Sequence, residues 1–468
     1  MEGLQPKLVV LMIGTNNGNA AEDLALGIKT IIADINERSP ASRILLLASA
    51  ASAASAASAP IGAESVASTI SHLTRLNIEL ALMTSSLCVL RRSPMRRLII
   101  ALLTSLSLLP VYAGDAQPSA PKPPPVVSPE VQVDRSVTFR IKASQATKVE
   151  VRGQWTKEPL ALTKGEHDVW SATSAPIAAG VWEYSMVVDG VAMIDPGNSA
   201  IKPMREPRTS ILALSGTPTA AWDFQDVPHG TVHSHVYQSQ AFNAPREVSI
   251  YTPPGYETST AVYPLLVLQH GSGDNQETWT AHGKAHFIFD NLIASKRAQP
   301  MVVLMLNGHA PAVSRAEDPA QRWLQSMEKF RHELTQDALP LVERLYRVAK
   351  KPEQRAIAGL SMGGGQSLGA GLTLDGFGWI GAFSAAAPPT SMIDAALADA
   401  ATTNARLRLL WIAIGKDDFL LKRNEEFIAL LKDKGIRHEY LLTEGGHSWP
   451  VWRQYLVDFV PRLFVSSP

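Results

Sequence analysis

One serine of the chain lies in a pattern that suits a nucleophile. Ser361 is the centre of Gly-Leu-Ser-Met-Gly at residues 359–363, directly after an apolar run at residues 356–360 and before a glycine-rich helix start. A Gly-x-Ser-x-Gly string alone is a weak signal, but between a strand and a helix it has the context of a nucleophile elbow. The alternative is an ordinary glycine-rich turn. The context predicts that the Ser361 hydroxyl projects above a sheet at the start of a helix.

A serine hydroxyl is a poor nucleophile at neutral pH and needs a base in contact with it. His447 follows an apolar run at residues 438–442 and precedes a final helical pattern. Asp417 and Asp418 follow another apolar run, at residues 408–414. This is the chain order of nucleophile, acid and histidine that strand–helix hydrolases show. Either carboxylate could orient the imidazole of His447, so the residues alone leave that choice open.

Acyl transfer also needs two preorganised N–H donors for the oxyanion. The first predicted donor is the backbone N–H of Met362, the residue after the nucleophile. The second is expected from the loop after the strand that ends near residue 270, with Gly271 or Ser272 as the donor. Both roles use only the backbone, so the side-chain types argue weakly for them.

The elements that must position these residues form a strand–helix alternation. Apolar runs that suit strands buried on both faces alternate with helical patterns, which predicts a doubly wound, mostly parallel α/β sheet. The predicted strands are residues 263–270, 301–306, 356–360 and 408–414, and the predicted helices lie near residues 325–347, 362–373, 423–434 and 450–464.

A small all-β region is predicted before this sheet. Short β-like runs at residues 137–141, 148–153, 169–173 and 181–190 alternate with turn residues, which predicts an antiparallel sandwich over residues 131–215. Three of its tryptophans, Trp155, Trp170 and Trp182, could stack on sugar rings, but packing in the sandwich core is the favoured interpretation. A Pro-rich linker is expected before it, at residues 114–130.

Four segments together resemble one family of known proteins. Residues 270–294, 355–372, 414–421 and 445–453 are similar to the esterase D group of α/β-hydrolases, and more narrowly to carbohydrate esterase family 1, over residues 235–468. The sandwich resembles the early-set domain, related to family 48 carbohydrate-binding modules, that precedes such esterases.

The resemblance implies a feruloyl esterase that needs no metal and no cofactor and releases hydroxycinnamates from an ester-bearing plant polysaccharide such as xylan. It assigns Asp418 as the acid of the triad. Trp279, Trp449 and Trp452 are candidates for the wall of the acyl pocket, although structural packing explains each equally well. Residues 307–324 match no pattern of the family, in which this segment often borders the acyl pocket.

Three other functions remain open at this stage. An acetylxylan esterase or a siderophore esterase of the enterobactin type would use the same catalytic residues. An inactive polysaccharide-binding protein would retain the fold without the chemistry, although the intact serine, histidine and acid motifs argue against it.

The composition excludes several partners. Hydrophobic residues make up 46% of the chain and charged residues 18%, and 43 basic residues balance 43 acidic ones. This is a globular composition without the charge excess that binds nucleic acid or an anionic membrane surface. The single cysteine, Cys88, permits neither an internal disulfide nor a multi-cysteine metal site.

An internal segment has the pattern of a secretory signal. Residues 95–113 begin with two arginines, continue with an apolar run and end in Val-Tyr-Ala, and the run is short for a membrane span. We therefore expect a secreted or periplasmic protein whose natural start is Met95 and which keeps no stable membrane attachment. A buried helix or a membrane anchor is the alternative.

The first 94 residues are expected to have no activity of their own. Apolar runs at residues 7–13 and 44–47 resemble strands of an SGNH-hydrolase fragment in which Asn16 would donate to an oxyanion. The fragment lacks that family's nucleophile and histidine blocks, without which acyl transfer cannot proceed. An Ala/Ser low-complexity tract follows at residues 48–59.

Overall fold

The computed structural model describes residues 8–13, 43–48, 125–310 and 318–465. The chain divides into two compact units, Met1–Ser119 and Ala120–Pro468. In the first unit, strands β1 (Leu8–Ile13) and β2 (Arg43–Ala48) pair in parallel. Both coincide with apolar runs of the sequence. Asn16, the low-complexity tract and the secretory pattern at residues 95–113 lie outside the described residues.

The second unit begins with an all-β region of two antiparallel sheets, as the sequence predicts. One sheet has the order β3-β4-β8-β7, and the other has the order β10-β9-β5-β6 with β11 also paired to β9. The strands are β3 Glu130–Val131, β4 Val137–Lys142, β5 Val149–Gly153, β6 Leu160–Ala161, β7 Thr163–Lys164, β8 Val169–Thr173, β9 Gly180–Val188, β10 Val191–Met193 and β11 Ser210–Leu214.

Side chains from both of these sheets form one hydrophobic core, which makes the region a sandwich. Phe139 of β4 stacks on Trp155 with ring centroids 5.9 Å apart. Trp170 is buried, and its indole N–H donates to the Ala143 carbonyl at 2.9 Å. Trp182 is partly buried against the same core. Trp155, Trp170 and Trp182 therefore all pack in or against the sandwich core, which agrees with the favoured interpretation.

The remainder of the unit is built on one eight-stranded sheet. Its order is β12-β13-β15-β14-β16-β17-β18-β19, antiparallel at the β12–β13 and β13–β15 pairs and parallel at every other pair. The strands are β12 Thr231–Ser239, β13 Ala244–Thr252, β14 Leu265–Gln269, β15 Val302–Leu306, β16 Arg355–Leu360, β17 Trp379–Phe383, β18 Leu409–Gly415 and β19 Glu439–Thr443. This is the predicted α/β-hydrolase fold.

Helices cover both faces of this sheet and bury a hydrophobic core on each. They are α1 Thr278–Ala281, α2 Ala285–Ala294, α3 Pro319–Glu333, α4 Leu339–Leu345, α5 Met362–Thr373, α6 Thr390–Ala398, α7 Ala400–Arg406, α8 Leu421–Asp433 and α9 Trp449–Phe459. Within the described ranges no helix combines the length and apolar character needed to cross a bilayer.

Several elements differ from the sequence-based expectation. The helix expected near residues 325–347 is interrupted by a π-helical turn at Leu334–Ala338, which divides it into α3 and α4. The final helix ends at Phe459 and not near residue 464. The β12–β13 hairpin was not predicted, and β12 begins before the expected boundary at residue 235. Its alternating exposed and partly buried residues mark an edge strand, which a search for continuous apolar runs does not detect.

Candidate active site

The turn between β16 and α5 holds Ser361 in an unusual backbone conformation. Its φ is 53° and its ψ is −115°, and its N–H donates to the Phe383 carbonyl of the neighbouring strand at 2.8 Å. The flanking glycines permit the turn, because a Cβ added at Gly359 would lie 2.6 Å from the Gly363 carbonyl oxygen. This strained strand-to-helix turn is the geometry of a nucleophile elbow.

Three loops at the carboxyl edge of the sheet bring a serine, a histidine and an aspartate into contact. Ser361 follows β16, Asp418 follows β18 and His447 follows β19. His447 Nε2 lies 2.9 Å from Ser361 Oγ, and His447 Nδ1 lies 2.9 and 3.0 Å from the two oxygens of Asp418. The imidazole can take the hydroxyl proton at one nitrogen while the carboxylate fixes the other as a donor.

The structure distinguishes the two adjacent aspartates that the residues alone did not. Asp418 is 4% exposed, whereas Asp417 is exposed at the surface of the loop. Burial by itself raises the pKa of Asp418, but hydrogen bonds from His447 and from the Leu420 N–H at 2.9 Å lower that pKa below its usual value. The carboxylate that contacts His447 is therefore ionised at neutral pH.

The predicted oxyanion donors lie beside the serine. Met362 is the first residue of α5, where a backbone N–H has no acceptor within the helix. The loop after β14 approaches from the other side, because a Cβ added at Gly271 would lie 3.4 Å from Ser361 Cβ. Gly271 and Ser272 both line the pocket that contains Ser361.

The pocket at this site has a volume of about 220 Å³. Trp449 and Trp452, at the start of α9, line it, and the Trp452 ring meets the His447 imidazole edge-on at 4.8 Å. Trp279 is not among the lining residues: it is 1% exposed, and its indole N–H donates to the Gln269 carbonyl at 2.9 Å. Of the three candidate tryptophans, two line the pocket and Trp279 packs in the core.

An aromatic side chain that was not predicted lies against the imidazole of His447. Phe419 is 75% exposed, and its ring centroid is 4.4 Å from that of His447. It follows the triad acid directly, so its position is a consequence of the same loop. An exposed aromatic ring beside the reacting atoms offers a face on which a flat acyl group can stack.

The sandwich supplies one wall of the pocket, which sequence reasoning also missed. Gln154, Glu183, Lys202 and Met204 come from the sandwich and line the pocket together with Asp274 of the loop after β14. Lys202 Nζ lies 3.0 Å from a carboxylate oxygen of Glu183 and 3.0 Å from one of Asp274. No local pattern signals such residues, because they meet only when the sandwich packs against the sheet.

The arrangement can perform acyl transfer with protein groups alone: a nucleophile, a general base, an orienting carboxylate and backbone donors for the oxyanion. Among the described residues, no group of three or more histidine, cysteine, aspartate or glutamate side chains has the geometry of a metal site.

Comparison with known proteins finds similarity to esterases. Residues 239–463 match the Esterase family model, described as "Putative esterase". The chain is 28% identical over 352 residues to an endo-1,4-beta-xylanase/feruloyl esterase of Xylanibacter ruminicola. That match covers 72% of this chain and 46% of the relative, so the chain spans less than half of the relative's length.

Two solved structures are also similar. A ferulic acid esterase is 28% identical, with a TM-score of 0.44, and the match covers 51% of this chain and 99% of the other. The enterobactin esterase of Shigella flexneri is 20% identical, with a TM-score of 0.49, and the match covers 71% of this chain and 95% of the other.

Proposed function

We propose that this chain is a carboxylic ester hydrolase, and more narrowly a secreted feruloyl esterase. Its Ser-His-Asp triad and the match of residues 239–463 to the Esterase family model support the proposal. Its substrate would be plant cell-wall xylan that carries ester-linked hydroxycinnamic acids, and the enzyme would hydrolyse that ester bond. The observation that carries the proposal is the contact of Ser361 with His447 in a pocket walled by Trp449 and Trp452.

The geometry supports a two-step acyl transfer. Ser361 Oγ attacks the ester carbonyl carbon while His447 Nε2 takes the hydroxyl proton. The tetrahedral intermediate collapses, the C–O bond to the sugar breaks, and His447 gives its proton to the departing alcohol. Water then attacks the acyl-enzyme, losing a proton to His447, which returns that proton to Ser361 as the free acid leaves. Asp418 stays ionised throughout and stabilises the imidazolium.

Three features favour an aromatic acyl group. The pocket volume of about 220 Å³ is below the range of roughly 300–1,000 Å³ that holds drug-sized ligands, which suits one small acyl group. Trp449, Trp452 and the exposed Phe419 offer aromatic faces and edges to a flat ring. The relative from Xylanibacter ruminicola is named for both xylanase and feruloyl esterase activity, which supports xylan as the polysaccharide.

Support for secretion comes from residues 95–113 alone, with their basic start, apolar run and small-residue end. The corresponding experiment expresses the chain from Met95 with a C-terminal tag and sequences the amino terminus of the exported protein. A mature terminus at or near Gly114 is expected. Protein that stays in the cytoplasm with Met95 intact would refute this part of the proposal.

The substrate is tested by kinetics on a panel of esters. Methyl ferulate, p-nitrophenyl acetate, acetylated xylan and ferric enterobactin are compared at equal enzyme concentration, with feruloylated arabinoxylan as the polymeric substrate. We expect the highest kcat/KM on the feruloyl esters, and Ser361→Ala should remove all activity because the nucleophile is lost. Ser391→Ala, at an exposed serine of α6, is the matched control and should retain activity. A clear preference for acetyl or siderophore esters would replace the feruloyl assignment.

A further inference from the structure

A buried ion cluster joins the sandwich to the loop that borders Ser361. Lys202 lies in the connection between β10 and β11, and it is 5% exposed. Its ammonium is 3.0 Å from Glu183 of β9 and 3.0 Å from Asp274 of the loop after β14. All three side chains are buried and all three line the pocket. The ion cluster is therefore part of the active-site wall and not a surface ion pair.

The backbone around Lys202 is attached to the same loop. Met204 forms an antiparallel bridge with Asp274, and the Arg205 N–H donates to the Gly273 carbonyl at 2.9 Å. Thr278, at the start of α1, donates its hydroxyl to the Pro203 carbonyl at 2.7 Å. A strand-like pairing and a buried cation thus hold residues 271–274 from the sandwich side.

These contacts act close to the reacting atoms. Residues 271–272 include the predicted second donor of the oxyanion hole, and Asp274 N–H closes the loop on the Gly271 carbonyl at 3.3 Å. Two backbone donors stabilise an oxyanion strongly only when they are held in place before the reaction begins. The contacts of Lys202, Met204 and Arg205 restrain this loop at its Asp274 end.

We propose that Lys202 is a positioning residue of the esterase, which acts through Asp274 to hold the backbone of residues 271–272 in the oxyanion-binding geometry. The sandwich is then a working part of the catalytic unit, since it supplies the cation. The inference rests on ester hydrolysis at Ser361 but not on the identity of the acyl group.

The charges of the ion cluster agree with a role for Lys202 in positioning the loop, and not with direct stabilisation of the oxyanion by its charge. Burial raises the pKa of Glu183, but His282 and Lys202 lower it to about 2, so this carboxylate is ionised. Burial raises the pKa of Asp274 to about 6, although Lys202 lowers it and Glu183 adds to the rise. Burial lowers the pKa of His282, whose Nε2 is 3.3 Å from Glu183, to about 4, so it is neutral.

Near neutral pH the Lys202 ammonium therefore faces the carboxylates of both Glu183 and Asp274. These two charges offset its positive charge, so it does not stabilise a developing oxyanion directly. A buried ion pair of this kind adds little to net stability, because desolvation offsets the attraction between the charges. What such a pair can contribute is a unique arrangement of the groups that it joins.

The test compares Lys202→Met with Lys148→Met, which removes an exposed lysine of the same sandwich that pairs with Glu150. With p-nitrophenyl acetate as substrate, Lys202→Met should lower kcat by roughly ten- to a hundred-fold, the size expected when one oxyanion donor is misplaced. The KM should change by less than about two-fold, because positioning of this donor matters in the transition state and not in ground-state binding. Lys148→Met should match the wild type.

A pH profile separates positioning from a general loss of folded protein. In the wild type Lys202 contacts an ionised Asp274, and because burial raises the pKa of Asp274 to about 6, its protonation weakens this contact as the pH falls. We expect the acid limb of the wild-type kcat profile to include this loss and the Lys202→Met profile to lack it, whereas a smaller amount of folded enzyme would lower the whole curve without changing its shape.

A second variant keeps the inference testable if Lys202→Met folds poorly. Asp274→Asn keeps the size of the side chain and removes its charge, and it should lower kcat to a similar extent. The double variant should be no worse than either single variant, since both remove the same contact. Unchanged kcat in Asp274→Asn, or additive losses in the double variant, would overturn the inference. Wild-type activity on p-nitrophenyl acetate without activity on methyl ferulate would refute only the feruloyl proposal.

Discussion

Replacement of Asp418 by asparagine should leave the fold intact and remove most of the activity. The change is nearly isosteric, and the buried Asp418 carboxylate accepts a hydrogen bond from His447 Nδ1–H at 2.9 Å. In the transition state His447 carries a positive charge, which the Asp418 carboxylate stabilises and a neutral amide does not. The substitution thus removes an interaction that is strongest when the imidazole is protonated.

The size of the loss follows from the distance. Two unit charges 2.9 Å apart attract by about 6 kcal/mol at an effective dielectric constant of about 20. Since about 1.4 kcal/mol in the barrier corresponds to a factor of ten in rate, kcat should fall by roughly 10⁴-fold. The KM should change little, because the interaction is made in the transition state.

The assay measures kcat and KM on p-nitrophenyl acetate for Asp418→Asn and for the matched control Asp417→Asn. The control removes the neighbouring, exposed carboxylate, and it should keep near wild-type kcat. Labelling with a fluorophosphonate probe reports the reactivity of Ser361 independently of the ester used. If Asp418→Asn retained more than about a tenth of the wild-type kcat, or if Asp417→Asn lost as much, the assignment of the acid would be wrong.

Two further predictions concern the pocket wall and acid stability. Trp452→Phe should raise the KM for methyl ferulate several-fold, because Trp452 lines the pocket. Trp279→Phe should leave that KM unchanged. It should lower the free energy of unfolding by about 1–3 kcal/mol in urea titrations, because the Gln269 carbonyl loses its donor. A raised KM in Trp279→Phe with an unchanged KM in Trp452→Phe would contradict the positions given to both side chains. The pKa of His282, about 4 in the fold against 6.5 for the free side chain, means that the unfolded chain binds the extra proton between these pH values. The contribution of His282 to the free energy of unfolding is therefore fully present above pH 6.5 and is lost as the pH falls toward 4. In His282→Gln the free energy of unfolding should fall less steeply over this range, by up to about 1.4 kcal/mol per pH unit. An unchanged slope would show that His282 does not titrate in this window.

Much of the hydrolase unit could be predicted from local patterns. The predicted strands at residues 356–360 and 408–414 correspond to β16 and β18, and the helix predicted at residues 362–373 has the bounds of α5. These elements are buried on both faces or begin at a glycine-rich turn, so hydrophobic runs and glycine positions identify them. The edge strand β12 was missed because its residues alternate between exposed and partly buried and give no continuous apolar run.

Residue types and spacing were sufficient to identify Ser361 and His447 as partners, because a nucleophile elbow and a histidine after the last strand are local features whose order along the chain is known. The tertiary structure decided which of two adjacent aspartates faces the imidazole, because the direction of each side chain depends on the backbone conformation of the loop after β18. It also decided that Trp279 packs in the core and that Lys202 lies beside Asp274. Those contacts join residues that are far apart in the chain, and their formation depends on how the sandwich packs against the sheet, which no local pattern encodes.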